Sequence, residues 1–119
     1  MSERILLEVH VDAVKRWADL PRASYAPIAR SLLARLEKAR REYDRTVSVE
    51  GDFWEPEWNP RKATFSWETI CAQINTADAI DISGAQTGLC VHKVKEELEK
   101  RGFRVNVRAD LTIDLDELR

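Results

Sequence analysis

No apolar run in this chain approaches the roughly 20 residues of a membrane-spanning helix. The opening stretch, MSERILLEVHVD, is interrupted by Glu8 and His10, so a signal peptide is not expected. There is no Asn-x-Ser/Thr acceptor, and only two cysteines, Cys71 and Cys90, too few for a secreted disulfide framework. Both sit among apolar residues in segments that read as helices, which suits buried thiols in a reducing compartment. A cytoplasmic protein is the expectation. Glycine is scarce, at four residues, and no phosphate-cradling glycine loop, Gly-x-Ser-x-Gly elbow or Asp/Glu-x-Lys nuclease pattern occurs. Charge of one sign is not in excess either: 19 Lys and Arg stand against 21 Asp and Glu, whereas a dedicated nucleic-acid binder is more often basic overall. Internal repeats and low-complexity tracts are absent.

What is present suffices for one folded domain over residues 1–119, with 44% hydrophobic and 34% charged residues. Ile5, Leu7, Val9 and Val11 alternate with Leu6, Glu8 and His10 and read as a strand, although Leu6 weakens the alternation and leaves one helix over 4–20 as the competing reading. Asp12 can cap a short helix that Pro21 stops. Ser24 can cap a longer helix over 25–44, with Tyr25, Ile28, Leu32, Leu36, Ala39 and Tyr43 on one face. Residues 46–49 read as a strand, and 67–75 as a short helix with Trp67, Ile70, Cys71 and Ile74 together. Ile80 and Ile82 mark a short extended piece.

Ser83 and Gln86 have capping-box spacing for a helix reaching Arg101, and Gly102 supplies its left-handed terminus. The buried face would be Cys90, Val91, Val94 and Leu98. Residues 103–107 and 111–115 read as two strands about a turn at Ala109-Asp110. The expected architecture is therefore α+β: a small single domain of about four helices, a small mainly antiparallel sheet and a C-terminal β-hairpin.

Chemistry is harder to find. Cys90 and His92 point about 200° apart on a helix and cannot share a metal, so two structural cysteines are expected, with no metal and no cofactor. His10 reads as a solvent-facing or hydrogen-bonded histidine rather than a catalytic one. Glu50, Asp52, Glu55, Glu57 and Glu68 crowd together in sequence without a hydrolase pattern, and catalysis is not expected. The far side of helix 25–44 carries Arg30, Lys38, Arg41 and Arg45, a stripe able to meet phosphates but interleaved with Glu37 and Asp44. The least ordinary stretch is DFWEPEWNPRK in the loop 51–65, which places Phe53, Trp54 and Trp58 between acids and prolines. Such a loop either folds back on the core or meets a partner. Its acids favour a protein with a basic rim over nucleic acid.

Two resemblances bear on function. The C-terminal phrase Leu98-Glu99-Lys100-Arg101-Gly102-Phe103-Arg104-Val105, within a stretch covering about a third of the chain, resembles the ending of many short uncharacterised bacteriophage proteins. The resemblance assigns no functional residue. Added to the small size, balanced charge, absence of catalytic motifs and the aromatic loop, it supports the expectation of a non-catalytic protein-binding module, an inhibitor or adaptor, with Phe53, Trp54 and Trp58 of the loop as partner-binding residues. The order of elements also resembles a winged-helix domain. That resemblance implies a DNA-binding regulator whose helix 84–101 would present Gln86, Thr87, His92 and Lys93 to the groove, with Arg108 on the wing. A homodimer is compatible with either reading.

Overall fold

The computed structural model describes residues 2–19, 26–50 and 67–113. Its centre is β1, Arg4–Val9, in which five consecutive residues from Ile5 to Val9 are buried. Ile5, Leu7 and Val9 belong to one core cluster and Leu6 to another. The Leu6 that blurs the sequence alternation marks a strand buried on both faces, as central strands of parallel sheets are.

After β1 come α1, Val11–Ala18, and α2, Ala26–Ala39, then a 3₁₀ turn at Arg40–Glu42 and β2, Arg45–Val49. Pro27 is tolerated in the first turn of α2, where its missing N–H has no intrahelical acceptor to lose. Next are α3, Trp67–Cys71, β3, Ala79–Ala85, a π-helical turn at Thr87–Val91, α4, His92–Lys100, and β4, Val105–Ile113. The strands form one sheet in the order β2-β1-β3-β4, and every neighbouring pair is parallel. Leu7 pairs with both Val47 and Ile82, and Ile82 in turn with Val107.

This corrects the expected α+β class. The fold is α/β with helices on both faces, and the sheet is not mainly antiparallel. Val14, Leu32 and Leu36 from α1 and α2 cover the Leu6 face. Ile70 from α3 and Val94 and Leu98 from α4 cover the other. The C-terminal β-hairpin is absent from the described residues. Val105–Ile113 runs in one direction, and its register to β3 shifts between Ile82 and Gly84. Ala109 and Asp110, read from sequence as a turn, lie exposed within this irregular stretch of a continuing strand.

Ser83 also changes role. It belongs to β3, fully buried, and its Oγ donates to the Leu7 carbonyl at 2.8 Å. The N-cap position of the following turn is Gln86, without a side-chain cap. Elsewhere the sequence reading agrees with the structure in its burial: Leu32, Leu36, Ala39 and Tyr43 are buried, as are Val91, Val94 and Leu98. Gly102 has φ 91°, the left-handed conformation that ends a helix. Among the described residues, no helix is long and apolar enough to cross a membrane.

Candidate functional site at the carboxyl edge of the sheet

From β1 the chain leads to β2 on one side, while from β3 it leads to β4 on the other. In open parallel sheets such a reversal leaves a crevice outside the carboxyl ends of the strands, where ligands commonly bind. Three strands bring polar residues to this edge. β1 is followed by His10, β2 by Glu50, and β3 by Gln86 and Thr87.

His10 occupies the left-handed region at φ 53°, ψ 35°, a conformation costly for a residue with a Cβ. Its backbone is held on both sides. The N–H donates to the Val49 carbonyl at 3.0 Å, and its carbonyl accepts from Ala13 and Val14 at 3.0 and 3.2 Å. The chain thereby turns sharply from β1 into α1 while the imidazole stays at the edge, its Nδ1 3.9 Å from a Glu50 carboxylate oxygen.

The other Glu50 oxygen accepts from the Asp12 backbone N–H at 3.4 Å, at the start of α1. Partial burial pushes the Glu50 carboxyl above its ordinary pKa, against the pull of N–H groups at the start of α1 and of Arg16. An imidazole beside a carboxylate that ionises reluctantly can exchange a proton or accept a donor from a ligand.

Gln86 follows a cis peptide bond from Ala85, and its carbonyl accepts from both Leu89 and Val91 at 3.1 Å. The tight turn leaves Leu89 48% exposed and Cys90 half-buried against the core. Cys71 is likewise a free thiol. Among the described residues, no group of three or more His, Cys, Asp or Glu could hold a metal ion.

The sequence-predicted sites are scattered. Gln86 and Thr87 lie at the carboxyl edge. His92 and Lys93 pair along α4 with Glu96 and Glu97 at 2.8 and 3.1 Å. Arg108 lies between Asp110, Glu42 and the Tyr43 hydroxyl at 2.6, 3.0 and 3.2 Å, a setting that raises its pKa further.

Two of the four residues of the basic stripe have partners within the chain. Arg30 donates to the Ala18 carbonyl at 3.2 Å, and Arg45 joins Glu3 at 2.7 Å and the Gln73 carbonyl at 2.6 Å. Lys38 and Arg41 are exposed. Phe53, Trp54 and Trp58 lie outside the described residues, as does the whole of the loop 51–65 assigned to them. The sequence reading missed the pairing of His10 with Glu50. The available signal was that each follows the last apolar residue of a strand. Comparison with known proteins gives no match, whether to a family model, a curated protein or a solved structure.

Proposed function

We propose that this chain is a small protein-binding module, an inhibitor or adaptor, whose contact surface is the carboxyl edge of its sheet. One observation carries the reading. The sequence segment with Phe53, Trp54 and Trp58 follows directly from Glu50, so the chain enters it from the edge that holds the His10–Glu50 pair and the strand-order reversal. Aromatic residues that follow an ionisable pair in the sequence supply the composition of a binding hot spot with a polar rim.

The test is the double change Trp54→Ala, Trp58→Ala, in a titration against a purified partner first captured by crosslinking. Loss of binding by about 2–4 kcal/mol with an unchanged melting temperature supports the reading. Retained binding, or a collapse of the melting temperature, removes its basis. The DNA-regulator alternative has less support. The strand expected to form its wing runs parallel in the sheet, and Lys93 and Arg108 are occupied by acids of the protein itself.

A second reading, thiol-dependent acyl transfer, is favoured by the placement of Cys90 in the first turn after β3. Thiol, imidazole and carboxylate then lie in the segments that follow three adjacent strands, the components of nucleophile, base and orienting acid. His10 would take the Cys90 thiol proton, and the thiolate would bond to the acyl carbon of an ester as the acyl C–O bond breaks. The leaving alkoxide would take the proton from the imidazolium. Water, passing a proton to His10, would then cleave the thioester to release the acid and restore the thiol. Hydrolysis of a p-nitrophenyl ester lost in both Cys90→Ser and His10→Ala supports it. No turnover, together with iodoacetamide labelling of Cys90 at the rate of free cysteine, excludes it.

A further inference from the structure

The opposite, amino edge of the sheet holds a cavity of about 460 Å³. Arg4, Ala79, Asp81, Arg104 and Asn106 contribute to its lining. Register explains why these side chains meet. Arg4 pairs with Ala79, and Asp81 with Asn106. Arg104 stands one residue before the pair Ile80–Val105, so strand alternation places it in the row of Arg4 and Ala79 and on the face of Asn106.

Two arginines thus flank one alanine across three strands, with Cα atoms about 10 Å apart at the usual strand spacing. The small Ala79 leaves the space between them open. Asp81 and Asn106 occupy the next row of the same face, about 7 Å further along the strands.

Most other charges around the cavity are already engaged. Glu3 pairs with Arg45 at 2.7 Å, and Asp78 accepts the backbone N–H groups of Glu3 and Asn75 at 2.9 and 2.8 Å. Arg4 is steadied by its guanidinium carbon 5.2 Å from the centre of the Tyr43 ring. Arg104 is exposed and makes no ion pair with the described residues. Asp81 accepts from the Tyr43 hydroxyl through one oxygen, at 2.5 Å, which leaves its other oxygen for a ligand. A plain anion entering here meets Asp81, and a plain amine meets two guanidiniums. A ligand of both signs is opposed by neither.

We propose that this cavity binds a small zwitterion of the α-amino-acid type, its carboxylate between Arg4 and Arg104 and its ammonium at Asp81. The site lies at the other end of the strands from His10 and Glu50, and it does not depend on the function proposed for that edge.

The test uses the intact protein labelled with nitrogen-15. Each proteinogenic L-amino acid is titrated in turn while the amide signals of Ala79, Arg104 and Asn106 are followed. The tightest ligand is then compared with its analogues lacking the amine or the carboxylate. Saturable shifts are expected at these amides, weakened about tenfold by loss of either ligand charge and by Arg104→Gln or Asp81→Asn. Arg104 is exposed, so Arg104→Gln reports on binding without a folding defect. Absence of saturable shifts with every amino acid overturns the proposal. So does equal affinity for the analogue that lacks the amine, which would mark a simple anion site.

Discussion

Gly84 lies so close to Val9 that a Cβ built on it would stand 2.0 Å from the Val9 carbonyl oxygen and 2.7 Å from the Val9 nitrogen. These residues are paired neighbours on β3 and β1, the strands between which the chain order reverses. Gly84 also has φ 110°, a conformation that L side chains rarely adopt. Close approach and backbone angle therefore both require glycine here.

Gly84→Ala should accordingly destabilise the fold by about 3 kcal/mol or more, summing backbone strain and overpacking. The neighbouring atoms are backbone of a central strand and cannot swing away. Chemical denaturation of wild type and variant measures the difference. A midpoint shifted by less than the error of the experiment would refute the close approach.

Glu8 gives a second prediction. It is buried at 5% exposure on the α2 side of the sheet, gripped by Arg40 through two hydrogen bonds of 2.7 and 3.1 Å. That contact holds the Arg40 guanidinium charged over an even wider range than usual. Arg40→Ala leaves a buried carboxylate unpaired. Since Arg40 is itself partly exposed, the cost should fall at the lower end for a broken buried pair, about 2–3 kcal/mol. Replacing both, with Glu8→Leu and Arg40→Leu, should recover most of the loss. A double variant as unstable as Arg40→Ala would show that the pair contributes more than mutual neutralisation.

These interactions show which parts of the fold the sequence makes legible. Periodicity reports one helix face at a time, so Leu32, Leu36, Val94 and Leu98 can be assigned to the core without the partner element. Strand direction is different. It depends on which strands pair, and the run Ile5–Val9 already signals two buried faces. Splitting 103–115 into a hairpin hides the alternation of strands and helices that implies a parallel sheet. The candidate site is less legible still. His10 and Glu50 are forty residues apart in sequence and meet only because β1 and β2 end in register, Val9 opposite Val49.

Acid should weaken the amino edge. The Asp78 carboxyl is held below its ordinary pKa, chiefly by the Glu3 backbone N–H, with help from the Asn75 N–H and Arg45. A depressed folded-state pKa contributes stability that is complete above the unfolded value, about 4, and is lost as pH falls through the folded value. Asp78→Asn should therefore lower the melting temperature at pH 7 and flatten its fall on acidification. Parallel melting curves for the two proteins down to pH 2 would disprove this linkage.

Glu50 should behave in the opposite sense. Burial raises its folded pKa, so the ionised group is less favourable in the folded protein than in the unfolded chain. The resulting cost is absent below the unfolded value, about 4.5, grows as pH rises to the folded value, and stays constant above it. Glu50→Gln keeps a carbonyl acceptor for the Asp12 N–H and removes the charge. At pH 7 the variant should melt at the wild-type temperature or slightly higher, and below pH 4 the two should coincide. The same change removes the anionic partner of His10 at the carboxyl edge, so partner binding should weaken while stability does not. Structural residues seldom separate the two measurements in this direction, because a lost contact lowers both, whereas groups retained for function often sit where they reduce stability. Thermal melts across pH, paired with a partner titration, decide the matter. If Glu50→Gln melts well below wild type at pH 7, the carboxylate is a structural anchor for α1, and the carboxyl edge loses its strongest candidate contact.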